Sequence, residues 1–239
     1  MKKLIISLAF VALSSVAAKA IEMPAIFGNM SLTGGIAANQ AVFGATAKQD
    51  EYNAAGTAID ASNEQSGVFT DGYGSQFIEI GFGQYISFGF EHVPDAISTP
   101  TTINESSDGN PGNTSNVSVD FNDFNTYYAK INTPWGIYLK AGTVETDLDI
   151  KETQLSGNTY KNVSTSGTTF GGGYEKFIGG SNFSIRAEGN YMELDTVNTE
   201  NSVALTGGTT TNGGHAKVKG SNMEGLTGKI ALTYTFGRN

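Results

Sequence analysis

The 239-residue chain contains no cysteine and only five prolines. Disulfides, thiolate-held zinc and a thiol nucleophile are thereby excluded. Charge is scarce at 15%, and 14 Lys+Arg stand against 23 Asp+Glu, for a net charge of −9. That balance argues against nucleic acid as a partner, because phosphate binding runs on lysine and arginine. No apolar run reaches the roughly 17 residues that cross a bilayer as a helix. Beyond residue 20 the 3.6-residue apolar period of amphipathic helices is missing too. Glycine, in contrast, is abundant at 31 residues, about twice ordinary usage. A mean hydropathy of −0.19 leaves a membrane protein possible, since a β-barrel is half polar by construction.

Met1-Lys2-Lys3 opens the chain with charge, Leu4 to Val16 is apolar apart from serines, and Ala18-Lys19-Ala20 places small residues where a signal peptidase reads them. This pattern predicts a signal peptide over 1–20 and one mature domain over 21–239. Three of the bases leave with the signal, so the mature chain is more acidic still.

The rest alternates between two textures. Eight short segments, near 29–38, 73–83, 85–93, 122–131, 137–146, 168–175, 183–194 and 226–236, carry a period of two. In the last, Ile230, Leu232, Tyr234 and Phe236 share one face, and Lys229, Ala231, Thr233 and Thr235 the other. Each is close to the 9–11 residues of a tilted membrane strand. Short links join segments two to three, four to five and six to seven; the links 47–72, 94–121, 147–167 and 195–225 are long and polar. Strict alternation of short and long predicts an all-β fold: an eight-stranded antiparallel up-and-down transmembrane β-barrel with short periplasmic turns and four long extracellular loops. Closure follows from hydrocarbon chemistry, because an open sheet edge there leaves N–H and C=O groups without partners. Tyr85, Trp135, Phe177, Tyr234 and Phe236 beside the short turns are expected to form the interfacial aromatic girdle.

With the apolar parity facing lipid, Glu79, Glu91, Glu175 and Glu188 turn inward together with Lys130, Lys140, Arg186 and Lys229. Four acids then meet four bases in an interior only wide enough for side chains. The expectation is a plugged, salt-bridged lumen with a structural role. Parity over 122–146 stays open, because Tyr127/Tyr128 and Ile137/Tyr138 fit either face. Phe77, Phe124 and Tyr138 are the inward aromatics that an apolar pocket would use.

The signal, the eight segments, the glycine-rich 168–175 and the ending Ala-Leu-Thr-Tyr-Thr-Phe over 231–236 resemble the small outer-membrane barrels of the OmpA-barrel, OmpX and opacity-protein kind. The resemblance implies a bacterial outer-membrane location, lipid as the surrounding partner and delivery by the barrel-assembly machinery. Tyr234 and Phe236 match the aromatic-x-aromatic ending that the machinery reads. Two departures stand out: Gly237-Arg238-Asn239 follows Phe236, and Ala231 stands where that signal prefers glycine.

No catalytic, cofactor or metal site is expected. His92 precedes Val93-Pro94 and His215 lies in a glycine-rich stretch, neither with a serine two positions on. Asp120 with Asp123, and Asp147 with Asp149, offer oxygen ligands but no EF-hand spacing. Segments such as Thr101 to Asn116 and Thr206 to Gly214 read as hydrated loops whose ligand the sequence does not name. Two functions are therefore carried forward: a structural and surface-interaction barrel, and alternatively a narrow porin or lateral transporter of small apolar solutes. A secreted soluble sandwich is the lowest reading.

Overall fold

The computed structural model describes residues 30–53, 55–105, 114–153, 159–202 and 215–237. Eleven strands follow in order: β1 (Met30–Tyr52), β2 (Ile59–Phe82), β3 (Ile86–Val93), β4 (Ile97–Ser98), β5 (Thr102–Glu105), β6 (Thr114–Asn132), β7 (Ile137–Thr153), β8 (Val163–Phe177), β9 (Phe183–Leu194), β10 (Val197–Glu200) and β11 (Ala216–Phe236). No helix occurs among the described residues. All pairings are antiparallel, and eight strands form a ring in the order β1, β2, β3, β6, β7, β8, β9, β11. β11 pairs back onto β1 from Leu32–Phe236 to Glu51–Ala216. β4 and β5 lie along the far end of β6, and β10 lies beside β11.

The three tight connections turn on glycines in the left-handed region: Gly83, Gly136, and the pair Gly179 and Gly180. A residue without Cβ enters that region freely. Met30 and Gly237 line the same cavity at this end, so both described ends of the chain lie beside the short turns.

The long connections differ from expectation: much of their length is strand. β1 and β2 run 23 and 24 residues, about 75 Å each at 3.3 Å per residue, and so project well past a bilayer. Their ladder is unbroken from Met30–Phe82 to Glu51–Ala61. Along this stretch every residue is exposed, so Ser62, Asn63, Glu64, Gln65 and Ser66 keep the ladder hydrogen bonds without any apolar period. The predicted signal peptide and Thr206 to Gly214 lie outside the described residues, as do 106–113.

β3 is only eight residues long. Its ladder with β2 ends at Gln76–His92, one residue before Val93-Pro94, where proline supplies no N–H. Two bulges reset parity elsewhere, at Asp123 (φ 47) on β6 and Asn222 (φ 50) on β11. Asp and Asn tolerate this conformation better than most residues. The first bulge lets Phe121 and Phe124 both reach the interior.

Outside, Ile36, Phe88, Tyr127, Leu139, Phe170, Leu226 and Ile230 are among many exposed apolar side chains. A water-soluble surface does not carry an apolar belt of that extent. Parity over 122–146 is resolved: Tyr127 and Ile137 face out, whereas Tyr128 and Tyr138 are buried inside. Tyr85 and Trp135 are exposed at the short-turn end. Tyr234 packs edge-on against Phe183 and Phe236, with centroids 4.8 and 4.6 Å away. Phe177 departs from the girdle expectation and lines the mouth of the interior, because its parity follows that of Glu175.

Candidate functional site

All eight predicted interior charges are found inside, and they sort into two layers. In the layer nearer the short turns, Arg186 on β9 clasps Glu79 on β2 with both terminal nitrogens, at 2.7 and 2.8 Å. Lys130 on β6 donates to the same carboxylate at 2.7 Å, and the Tyr128 hydroxyl donates at 2.8 Å. Glu175 on β8 completes the layer, 3.1 Å from Arg186 Nε and 3.8 Å from Lys130 Nζ, with Ser184 Oγ donating to it at 2.5 Å.

In the second layer Lys140 bridges Glu91 and Glu188 at 3.2 and 3.0 Å, and Lys229 bridges the same pair at 2.6 and 3.0 Å. Ser75 donates to Glu91 at 2.7 Å, while Tyr138 and Asn190 donate to Glu188 at 2.7 and 2.8 Å. Each layer holds two acids and two bases, so each is neutral by itself. A buried charge stripped of its partner costs several kcal/mol, and neutrality within a layer removes that cost locally.

The two tyrosines stitch the layers together. Tyr128 bonds Glu79 in the first layer while its ring lies under Lys140 of the second, 4.0 Å from centroid to Nζ. Tyr138 does the reverse, bonding Glu188 and offering its ring to Lys130 at 5.1 Å. Both had a legible signal, since each lies two residues from an inward lysine. Room for the rings comes from glycine on the neighbouring strand: Gly89 opposite Tyr128, Gly173 opposite Tyr138, Gly35 opposite Phe77 and Gly225 opposite Phe43. A Cβ at any of these four would run into the facing ring.

Toward the long-loop end the interior changes character. Ala41, Phe43, Val93, Ile97, Phe124, Val144, Met192, Leu194 and Met223 form a buried apolar cluster. Sequence reasoning carried only Phe124 of these to the interior; the parity of Asn39 and Glu188 already extends to Ala41, Phe43, Met192 and Leu194. Phe77 sits lower, against Arg186, at 5.2 Å.

The residues weighed for catalysis and metal binding are held in separate contacts, although Asp120 and Asp149 stand opposite each other on β6 and β7. His92 Nδ1 lies 2.8 Å from Asn125 Oδ1, and His215 Nε2 lies 3.8 Å from Glu200. Asp120 accepts from Ser98 and pairs with Lys151; Asp147 accepts from Ser164, and Asp149 from Asn122 and Asn162. Among the described residues no three His, Asp or Glu side chains converge on a metal position.

No protein-family model matches the chain, and no curated sequence does. Solved structures do. OprG of Pseudomonas aeruginosa superposes with a TM-score of 0.51 at 10% identity, covering 84% of this chain and 96% of that one. The fold is that of the small outer-membrane barrels. Ail, the attachment invasion locus protein of Yersinia pestis, solved with a heparin analogue, matches at TM-score 0.35 and 13% identity, over 84% and 99% of the chains. The outer membrane protease OmpT of Escherichia coli matches at 0.40 and 10%, over 84% and 97%. The lumen of this barrel is balanced by salt bridges within two separate layers.

Proposed function

We propose that the protein is an integral outer-membrane barrel with a structural and surface-presenting role, non-enzymatic, with its lumen sealed by the two charge layers. One observation carries the reading: every interior charge has an opposite partner within 4 Å in its own layer. An ion crossing the lumen would have to displace those pairs in surroundings too narrow to rehydrate them. Purified protein reconstituted in planar bilayers is expected to give no steady conductance. Steady single-channel currents that vanish in Glu79→Ala, with the barrel still folded, would overturn the sealed lumen. Heat-dependent gel mobility after membrane fractionation tests the location itself. Lipid is the surrounding partner, and Tyr234 and Phe236 are the residues the barrel-assembly machinery reads. Phe236→Ala is expected to lower the folded fraction in cells while leaving refolding in detergent intact.

A second reading, a lateral route for small apolar solutes, is favoured by one feature. Above Gln76 the described strand partner of β2 is β1 alone, and this edge runs beside the apolar cluster. Uptake of an apolar fluorophore into proteoliposomes, faster than into protein-free vesicles and slowed by Val93→Trp, would support that route.

A further inference from the structure

The interior also holds a cavity of about 620 Å³ at the short-turn end, a size typical of small-molecule sites, which run from about 300 to 1,000 Å³. Its floor is the first charge layer, its walls are strand residues next to the turns, and its rim belongs to the turns. The floor is incompletely satisfied on the cavity side. Both oxygens of Glu79, Glu91 and Glu188 accept a hydrogen bond. Glu175 differs. Its Oε1 takes Ser184 and lies 3.1 Å from Arg186 Nε, whereas among the described residues Oε2 has only Lys130, at 3.8 Å. Among the described residues Lys130 in turn makes a single hydrogen bond, to Glu79, out of three N–H groups available. An open acceptor and spare donors thus face one cavity.

Formal charge decides which ligands that floor favours. Glu79, Glu175, Lys130 and Arg186 cancel, so an ion of either sign gains no net attraction there. Lys176 at the rim is exposed, where salt and water screen it. The walls add hydroxyls and amides from Ser87, Asn132 and Thr235, and Trp135 stands at the rim. Hydroxyl groups both donate and accept, and an aromatic face attracts polarised C–H groups through its quadrupole. We propose that this vestibule is a binding site for an uncharged sugar unit, held by its hydroxyls on Glu175, Lys130 and Asn132 with one ring face against Trp135. That the mouth opens to the periplasm rests on the outer-membrane reading; the site itself does not.

The full barrel, refolded in lipid nanodiscs, is titrated with N,N′-diacetylchitobiose while backbone amide NMR shifts are followed. Saturable shifts confined to Gln84, Asn132, Gly136 and Gly237 are expected, with a Kd on the order of 1 mM. Trp135→Ala leaves an exposed position and is expected to weaken binding about tenfold, as an aromatic anchor does. Glu175→Gln is expected to do the same through its lost charged acceptor; if it fails to refold, Asn132→Ala takes its place. Spermidine and inorganic phosphate serve as ionic probes. Absence of saturable shifts, shifts unchanged in these variants, or equal affinity for either ion would overturn the proposal. Cosedimentation with purified peptidoglycan sacculi separates two sources: retention assigns a glycan chain end, and disaccharide binding without retention assigns a free sugar. Because heat-modifiable mobility reports location independently, failure of the sugar site and failure of the membrane reading stay distinguishable.

Discussion

The two halves of the interior are filled by opposite means. Near the short turns the filling is charge: four acids, four bases and two tyrosines, with the directions of all contacts set by hydrogen-bond geometry. Toward the long loops the filling is apolar, built from Phe43, Phe124, Val144, Met192 and their neighbours. The first kind is intolerant of partial removal, because every deletion leaves a charge behind in a site that water reaches poorly. The second loses stability in proportion to the volume removed. A narrow barrel can use both, since either keeps the lumen full, but only the charged half fixes which strand stands opposite which.

Mutations that break this contrast can be ranked. Glu79→Ala removes the acceptor of four hydrogen bonds and leaves Arg186 and Lys130 sharing Glu175 as their one remaining acid, a net buried positive charge. Its expected cost is the largest, about 4 kcal/mol, read as a lower urea midpoint by fluorescence of the one tryptophan. Met192→Ala in the apolar half should cost about 3 kcal/mol by cavity formation, and Met192→Leu clearly less. If Glu79→Ala proves milder than Met192→Ala, the two halves are not held by different physics. Tyr128→Phe keeps the ring under Lys140 but gives up one of the four bonds to Glu79, for about 1 kcal/mol; a loss as large as that of Glu79→Ala would mean the tyrosine, not the ion pair, organises the layer.

The smallest effect belongs outside both halves. Glu200 at the long-loop end accepts from Lys161 at 2.7 Å, and that hydrogen bond and charge hold its carboxyl below the ordinary value. A lowered folded value means that the pair stabilises above the ordinary carboxylate pKa, about 4.3, and is lost as pH falls through the lower folded one. The Lys161 and Glu200 side-chain NMR signals should hold through mild acid and move only below it. Movement near neutrality would mean that the Lys161 pair does not hold the carboxyl down.

Much of the ring was legible because membrane strands obey one rule at a time. Period two with apolar residues on a single parity marks each stretch with an apolar outer face, and the alternation of short and long links orders them. Strand ends were not legible: Ser62 to Ser66 on β2 pair as regularly as Ile78 to Phe82, yet with water on both faces nothing in their side chains records it. The inward charges could be read since eight ionisable residues on the buried parity admit few arrangements. Their grouping could not, because Glu79 meets Arg186 across 107 positions of chain.

Composition and periodicity by themselves determined that this chain makes strands, turns its apolar residues outward and carries equal opposite charges within. Those are properties of single segments, set by the alternation of side chains along an extended backbone. Only the tertiary structure decided that the charges form two neutral layers, that four glycines face four aromatic rings, that bulges at Asp123 and Asn222 reset the interior, and that the short-turn end stays open beside Glu175. Each of these depends on the register between strands far apart in sequence, and register exists only once the ring has assembled.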